Sequence, residues 1–319
     1  MIISASYKTD IPAFYGEWFM NRLRAGYCMM VNPYNRNSIR VDLSRRKVDA
    51  FVFWTKNLGP FMKSLRVVRE MGYPFVVQYA ITSYPRVLEQ SVVRPERSAE
   101  HMRRLATEFG RRVAVWRYDT ILLTSETPLD FHRRNFERLA RLLEGTTDEA
   151  VVSFAQMYKK TKNNLCKAAA MYGFDWEDPY DDVKWRLAEE LAVVAARYGM
   201  QLAMCSQRQY LAPGVTDARC VDAERLSELA ERPIRARLHG NRPDCGCYAS
   251  RDIGEYDTCP HGCVYCYAVQ NQDLAKRRYR AHDPASEYLV EPSSYRAKSR
   301  LDTRHTRDNA EQLALFEEV

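Results

Sequence analysis

The sequence predicts an α/β fold, a partial (βα)6 barrel of the TIM type followed by a cysteine-rich segment, on three observations. Over the first two thirds of the chain, short segments rich in β-branched and aromatic residues alternate with longer helical stretches. The short segments are continuously apolar rather than alternating, as strands covered on both faces are. Several helical stretches end at Gly72, Gly110, Gly145 and Gly199, and glycine suits a helix C-terminus because it accepts positive φ without strain.

The first strand is expected over Ile2–Ser6, and the helix Pro12–Arg24 after it has Asp10 as N-cap and Pro12 in its first turn. Phe51–Thr55 with Leu58–Met71, and Phe75–Thr82 with Pro95–Phe109, form the second and third units. Val113–Tyr118 with Pro128–Leu143, Val151–Gln156 with Val183–Tyr198, and Gln201–Ser206 with Asp222–Ala230 complete the series. Strand–helix units in series require right-handed crossovers around a parallel sheet. An open, doubly wound sheet is the alternative, and a count of six fits a partial barrel. In either, function gathers at the carboxyl ends of the strands. Polar residues recur at those ends: Ser6 and Lys8, Thr55 and Lys56, Thr82, Arg117 and Asp119, Gln156, and Cys205. By position, Lys56, Arg117, Asp119, Gln156 and Cys205 are the candidate catalytic residues; the alternative for each is a loop residue or helix cap.

Three regions follow: a body over residues 1–231, a cysteine-rich segment over 232–283, and a polar tail over 284–319. The 319 residues, 46% of them hydrophobic, suffice for a large core. No apolar run reaches the roughly 18 residues of a membrane span, and the opening ten residues lack the charged-then-apolar pattern of a signal peptide. The cysteines number nine. An odd count without an export signal argues for a reducing, cytoplasmic compartment rather than a disulfide framework. Cys28 and Cys166 are scattered and carry no assigned role; the other seven crowd between Cys205 and Cys266.

The sharpest local pattern is Cys259-Pro-His-Gly-Cys263-Val-Tyr-Cys266-Tyr-Ala. Three thiolates on one short loop can each take one iron of a 4Fe–4S cubane and leave the fourth iron open. A zinc site would need a fourth protein ligand, for which His261 is awkwardly squeezed between cysteines. Structural cysteines without metal are the remaining alternative.

This loop resembles the signature of the radical S-adenosylmethionine (SAM) superfamily, and its longer form resembles the spore photoproduct lyase and DNA repair photolyase-like branch. The resemblance implies that Cys259, Cys263 and Cys266 hold a 4Fe–4S cluster. It implies that the amino and carboxylate groups of SAM chelate the open iron, with adenine near Tyr265. It also implies reduction by a donor such as flavodoxin or ferredoxin, and cleavage of SAM to a 5′-deoxyadenosyl radical. In most of the superfamily the cysteine loop follows the first barrel strand; here it follows all six units. The expectation is a permuted arrangement in which the C-terminal segment reaches back across the carboxyl-end face. From Thr9-Asp-Ile-Pro-Ala-Phe-Tyr15 through Phe53–Asn57 and Trp116–Asp119 to the loop, the chain also resembles an uncharacterised bacterial domain-of-unknown-function family with a C-terminal radical-SAM-like cysteine cluster.

Cys205, Cys220, Cys245 and Cys247 precede the loop, and four thiolates can close a second 4Fe–4S cluster entirely with protein. A four-thiolate zinc site, buried apolar cysteines, and hydrogen-atom donation from Cys205 to a substrate radical are the alternatives.

At the C-terminus, Gln312, Leu313, Leu315 and Phe316 resemble the peptide by which bacterial polymerases and repair proteins dock on the DNA sliding clamp, where apolar anchors enter a groove. The alternative is an amphipathic last turn packed on the protein itself. Basic clusters at Arg45–Lys47, Arg103–Arg104, Arg111–Arg112, Arg133–Arg134, Lys159–Lys162 and Lys276–Arg280, with a net charge of +7, permit nucleic-acid binding. The expected function is therefore a radical SAM enzyme acting on modified or damaged nucleic acid. A small metabolite or peptide substrate, and a non-catalytic iron–sulfur or zinc nucleic-acid-binding protein, are the alternatives.

Overall fold

The structure is a computed structural model that describes residues 1–292 except 33, 34, 36, 241 and 243. In chain order the elements are β1 (Ile2–Ala5), α1 (Ile11–Phe14), α2 (Gly16–Ala25), β2 (Tyr27–Val31), β3 (Ser38–Asp42), β4 (Ala50–Thr55), α3 (Met62–Glu70), β5 (Phe75–Ala80), α4 (Pro95–Phe109), β6 (Ala114–Ile121) and β7 (Leu123–Thr124). They continue as α5 (Leu129–Leu142), β8 (Glu149–Phe154), α6 (Lys159–Tyr172), β9 (Trp176–Glu177), α7 (Asp181–Arg197), β10 (Gln201–Met204), β11 (Val215–Asp217), α8 (Ala223–Ala230), β12 (Ser250–Asp252) and α9 (Gln272–Arg280).

Eight strands form one sheet in the order β11-β10-β8-β6-β5-β4-β1-β12, and every neighbouring pair is parallel. The sheet is open, with β11 and β12 at its edges. All six strands expected from the sequence are present, within a few residues of the expected bounds, and they lie side by side in sequence order.

Alternation along the strands explains their continuous apolar character. Ile3, Phe51, Phe53, Val77, Tyr79, Trp116 and Tyr118 enter one core with Trp18, Phe19, Leu65, Met102, Phe136 and Leu191 of the helices. Their neighbours Ile2, Val52, Val76, Val115, Val151 and Ala203 enter a second core on the opposite face. That face is covered by Cys205 and Cys220 after β10 and β11, by Leu226 of α8, and by Ile234 and Cys247 of the cysteine-rich crossing between α8 and β12. Burying a large apolar side chain contributes about 1.5–3 kcal/mol, so strands flanked on both faces are mostly apolar, with Gln78 of β5 and Arg117 of β6 as buried polar exceptions. Trp116 stacks on Phe136 with ring centroids 4.7 Å apart, fixing α5 against β6.

The first expected helix is divided at Tyr15 into α1 and α2. Gly16 packs so tightly on Phe61 that a Cβ there would sit 2.8 Å from the ring, and the restart turns Trp18 and Phe19 into the core. Asp10 caps α1 as expected, accepting from Ala13 N at 2.9 Å. The antiparallel hairpin β2–β3, helix α6 and strand β12 were not among the expected elements. Strand β12 pairs with β1 from Ile2↔Ser250 to Ser4↔Asp252. Asp252 holds that junction, accepting from Ser4 Oγ at 2.7 Å, Ser6 Oγ at 2.8 Å and Tyr7 N at 3.0 Å. No helix among the described residues is long and apolar enough to cross a membrane.

Candidate active site and cysteine centre

A cavity of ≈ 300 Å³ opens at the carboxyl ends of the strands, and all seven crowded cysteines line it. Cys28 is instead buried in the helix-side core and Cys166 is exposed. Ser6, Lys8, Thr55, Lys56, Arg117, Asp119 and Gln156 line the same cavity. Thr82 is not a lining residue; it lies behind Lys56, 3.2 Å from its Nζ. The positional argument from strand ends thus gathers these residues into one place, because parallel strands deliver all their carboxyl ends to one side of the sheet.

The Cys259–Cys266 loop follows β12 and docks against the loop after β5. Val264 N donates to Leu88 O at 3.0 Å, and Ser91 N donates to His261 O at 2.9 Å. Gly262 has φ +75°, and a Cβ there would meet the Gln90 side chain at 3.0 Å, so glycine serves both the turn and the close approach. His261 lines the same cavity, with its Nε2 2.7 Å from Asp10 Oδ2 and its ring edge-on to Phe14, centroids 4.7 Å apart. Asp10 Oδ2 also accepts from Lys56 N at 2.7 Å.

Beneath the loop lies a buried ion pair, Lys56 Nζ to Glu89 Oε1, at 2.7 Å. Glu89 also accepts from Thr82 Oγ1 at 2.6 Å and from the Tyr265 hydroxyl. Burial alone would lower the Lys56 ammonium, but Glu89 and the Cys263 sulfur outweigh it and hold it above the ordinary lysine range. Burial alone would raise Glu89, but Lys56 and the donated hydrogen bonds hold it below the ordinary carboxylate range. Tyr265 lines the cavity with its hydroxyl thus anchored and its ring edge-on to Tyr84 at 5.8 Å.

Arg117 and Asp119 form another wall. Arg117 Nε donates to Asp119 Oδ2 at 3.0 Å, and its Nη1 donates to Gln78 Oε1 at 3.2 Å and Cys220 Sγ at 2.8 Å. The guanidinium lies 5.1 Å from the Trp54 ring centroid, a cation–π contact. Ser153 donates to Asp119. Burial, which would raise the Asp119 carboxyl, is outweighed by Arg117, and the group is held below the ordinary range. Arg242 donates to Gln156 Oε1 and to Cys205 Sγ, each at 3.3 Å. The sulfurs of Cys205 and Cys220 are 3.4 Å apart.

Glu89 and Arg242 escape the sequence reading, since neither sits in a motif or at a strand end. Asp10 was read only as a helix cap, and nothing local reveals its second task. Gln312, Leu313, Leu315 and Phe316 lie outside the described residues. Lys159 and Lys160 begin α6, directly after Tyr158, which lines the cavity. Lys160 Nζ lies 5.5 Å from the Tyr256 ring centroid; Arg112 pairs with Asp148 and Glu228, and Arg133 with Asp130 and Glu190.

A donor set fits a 4Fe–4S group with an open iron when three thiols share a loop and no fourth protein ligand joins them. Cys259, Cys263 and Cys266 share one loop and line the cavity, the other four cysteines of the cavity come from other segments, and the histidine between the three bonds to Asp10. Among the described residues, no group of three or more His, Cys, Asp or Glu side chains already stands in the geometry of a single bound ion.

No curated protein matches the chain. A family model described as a domain of unknown function (DUF1848) matches residues 2–268, a span that begins in β1 and ends just after Cys266.

Proposed function

The chain belongs to the DUF1848 family, and from its cysteine loop and cavity we propose that it is a radical SAM enzyme on a permuted partial (βα)6 barrel. The observation that carries the reading is the position of β12. It lies parallel to β1 at the sheet edge, and the cysteine loop leaves its carboxyl end. In space β12 adds one strand ahead of the six expected ones, which supports a loop set at the first-strand edge, where the superfamily carries its cysteine loop. Strands β1, β4, β5, β6, β8 and β10 then follow side by side in sequence order, as consecutive βα units of a partial barrel do.

Cys259, Cys263 and Cys266 would hold the 4Fe–4S cluster. When bound and reduced, by a donor of the flavodoxin or ferredoxin class, the cluster supplies reductive cleavage of SAM to methionine and a 5′-deoxyadenosyl radical. The protein's own residues hold the loop in place. Glu89 ties Tyr265 to Lys56, Asp10 ties His261 to the end of β4, and the Lys56 ammonium offsets negative charge at Cys263. Arg117, Asp119 and Gln156, on the far side of the cavity, would orient the substrate. Lys159 and Lys160 beside the cavity support a modified or damaged nucleic acid in that role, its phosphates drawn to the start of α6. The sliding clamp is the proposed recruiting partner, through residues 312–316.

Formation of 5′-deoxyadenosine after anaerobic reconstitution and reduction tests the chemistry. It should disappear in Cys263→Ala together with about four irons per chain. Intact SAM beside a fully loaded cluster would overturn the reading.

A further inference from the structure

The four remaining cysteines of the cavity come from three places. Cys205 follows β10, Cys220 follows β11, and Cys245 and Cys247 lie on the crossing that leads to β12. That crossing is stitched to the sheet side by Tyr248 N to Val221 O at 2.9 Å and by its own turn, His239 N to Cys247 O at 2.9 Å. The result gathers four sulfurs at one end of the cavity. Cys205 Sγ lies 3.4 Å from Cys220 Sγ, and Cys245 and Cys247 line the same cavity beside them.

Three donors point at these sulfurs. Arg117 Nη1 reaches Cys220 Sγ at 2.8 Å, Arg242 Nη2 reaches Cys205 Sγ at 3.3 Å, and Val221 N reaches Cys247 Sγ at 3.5 Å. A neutral thiol is a poor acceptor, and two guanidiniums aimed at neutral sulfur gain little for their desolvation. Four thiolates around a divalent ion carry two negative charges, which Arg242 faces directly and which Arg117 faces while also paired with Asp119. Main-chain N–H donation to sulfur is likewise the outer support that thiolate ligands need.

We propose that Cys205, Cys220, Cys245 and Cys247 bind one thiophilic divalent ion, zinc or ferrous iron, with Arg117 and Arg242 as its charge partners. Sulfur spacing favours a single ion over a second cubane. With metal–sulfur bonds of about 2.3 Å, a tetrahedral site sets its sulfurs about 3.8 Å apart, and Cys205 and Cys220 are already at 3.4 Å. A cubane instead gives each thiolate its own iron and holds the sulfurs well beyond contact. The four do not already surround a point, so binding draws Cys245 and Cys247 inward to close the tetrahedron.

This site is independent of SAM chemistry, and its test is kept separate. The triple variant Cys259→Ala/Cys263→Ala/Cys266→Ala lacks the proposed SAM cluster, so any metal it retains belongs elsewhere. Purified anaerobically, it should carry about one zinc or iron per chain without acid-labile sulfide. Adding Cys220→Ala and Cys247→Ala should remove that ion. Cobalt(II) added to the metal-free protein should give the intense visible bands of a tetrahedral thiolate site in the full chain and, undiminished, in the triple variant, so that the loop cysteines do not account for them. About four irons with sulfide in the triple variant would overturn the proposal in favour of a cubane. Absence of both retained metal and cobalt bands would overturn it outright.

Discussion

His261 Nε2 lies 2.7 Å from Asp10 Oδ2, joining the cysteine loop to the first turn of the chain across 251 positions of sequence. The contact gives the loop histidine a partner other than metal. It also separates two kinds of loop variant that otherwise look alike, since a ligand and a loop anchor differ in what their removal costs.

His261→Ala should therefore keep about four irons per chain after reconstitution, whereas Cys263→Ala should keep none at the loop. Iron and sulfide analysis of the two variants side by side is the measurement. Equal loss in both would make His261 a ligand and contradict its placement on Asp10.

Glu89→Gln leaves the Lys56 ammonium in a buried site without its carboxylate, and should destabilise the protein by about 3–5 kcal/mol. Replacing both partners, Lys56→Met with Glu89→Leu, should recover most of that loss, because an apolar pair needs no compensation. Denaturant unfolding of the metal-free protein reads both. A double variant no more stable than Glu89→Gln would mean that Glu89 acts through Thr82 and Tyr265 rather than through Lys56.

His132 is fully buried, with Nε2 3.1 Å from Leu122 O and Nδ1 2.9 Å from the Tyr118 hydroxyl. Burial pushes its pKa down to about 4. As pH falls from about 6.5 toward 4, the unfolded state takes up a proton that the folded state refuses, so stability falls, by about 3 kcal/mol in all. Burial also lowers His101 and His282, so the readout is the difference in pH slope between the parent and His132→Gln. Parallel slopes would sink the assignment.

Gly254 follows β12, and a Cβ there would lie 2.0 Å from Ser6 Oγ and 2.6 Å from Ser6 Cβ. Gly254→Ala must push the end of β1 from the strand that carries the cysteine loop. It should cost about 1–3 kcal/mol and lower iron loading, measured by unfolding and iron analysis. Wild-type values for both would show that the β1–β12 junction gives way without consequence for the loop.

If nucleic acid crosses the cavity mouth at α6, replacing Lys159 and Lys160 with alanine should lower the log–log salt slope of DNA binding by about 2. An unchanged slope would remove that path. Deleting residues 312–316 should abolish capture by a bacterial sliding clamp while sparing 5′-deoxyadenosine formation. Capture that survives the deletion would assign clamp binding elsewhere or to nothing specific.

The six central strands were legible because each is a run of β-branched and aromatic residues that two cores bury. Strand β12 was not, since Ser250-Arg251-Asp252 has no apolar residue and owes its place to Asp252 and the edge of β1. Helix α6 was missed for a related reason: it buries only Thr161, Leu165 and Ala168, and its lysine-rich start reads as surface. The cysteines announced themselves by spacing. Glu89, Asp10 and Arg242 could not, because what they do depends on partners dozens to hundreds of residues away.

The placement of β12 also governs when the centre can come into being. The strand and its loop leave the ribosome after every other strand of the sheet, and nascent chains fold from the N-terminus onward. The other strands of the sheet have thus all been synthesised before the first cysteine of the loop emerges. If the loop holds the proposed cluster, maturation machinery meets it only after the other strands have been made, and a translation product truncated before it offers no loop on which iron could be misloaded.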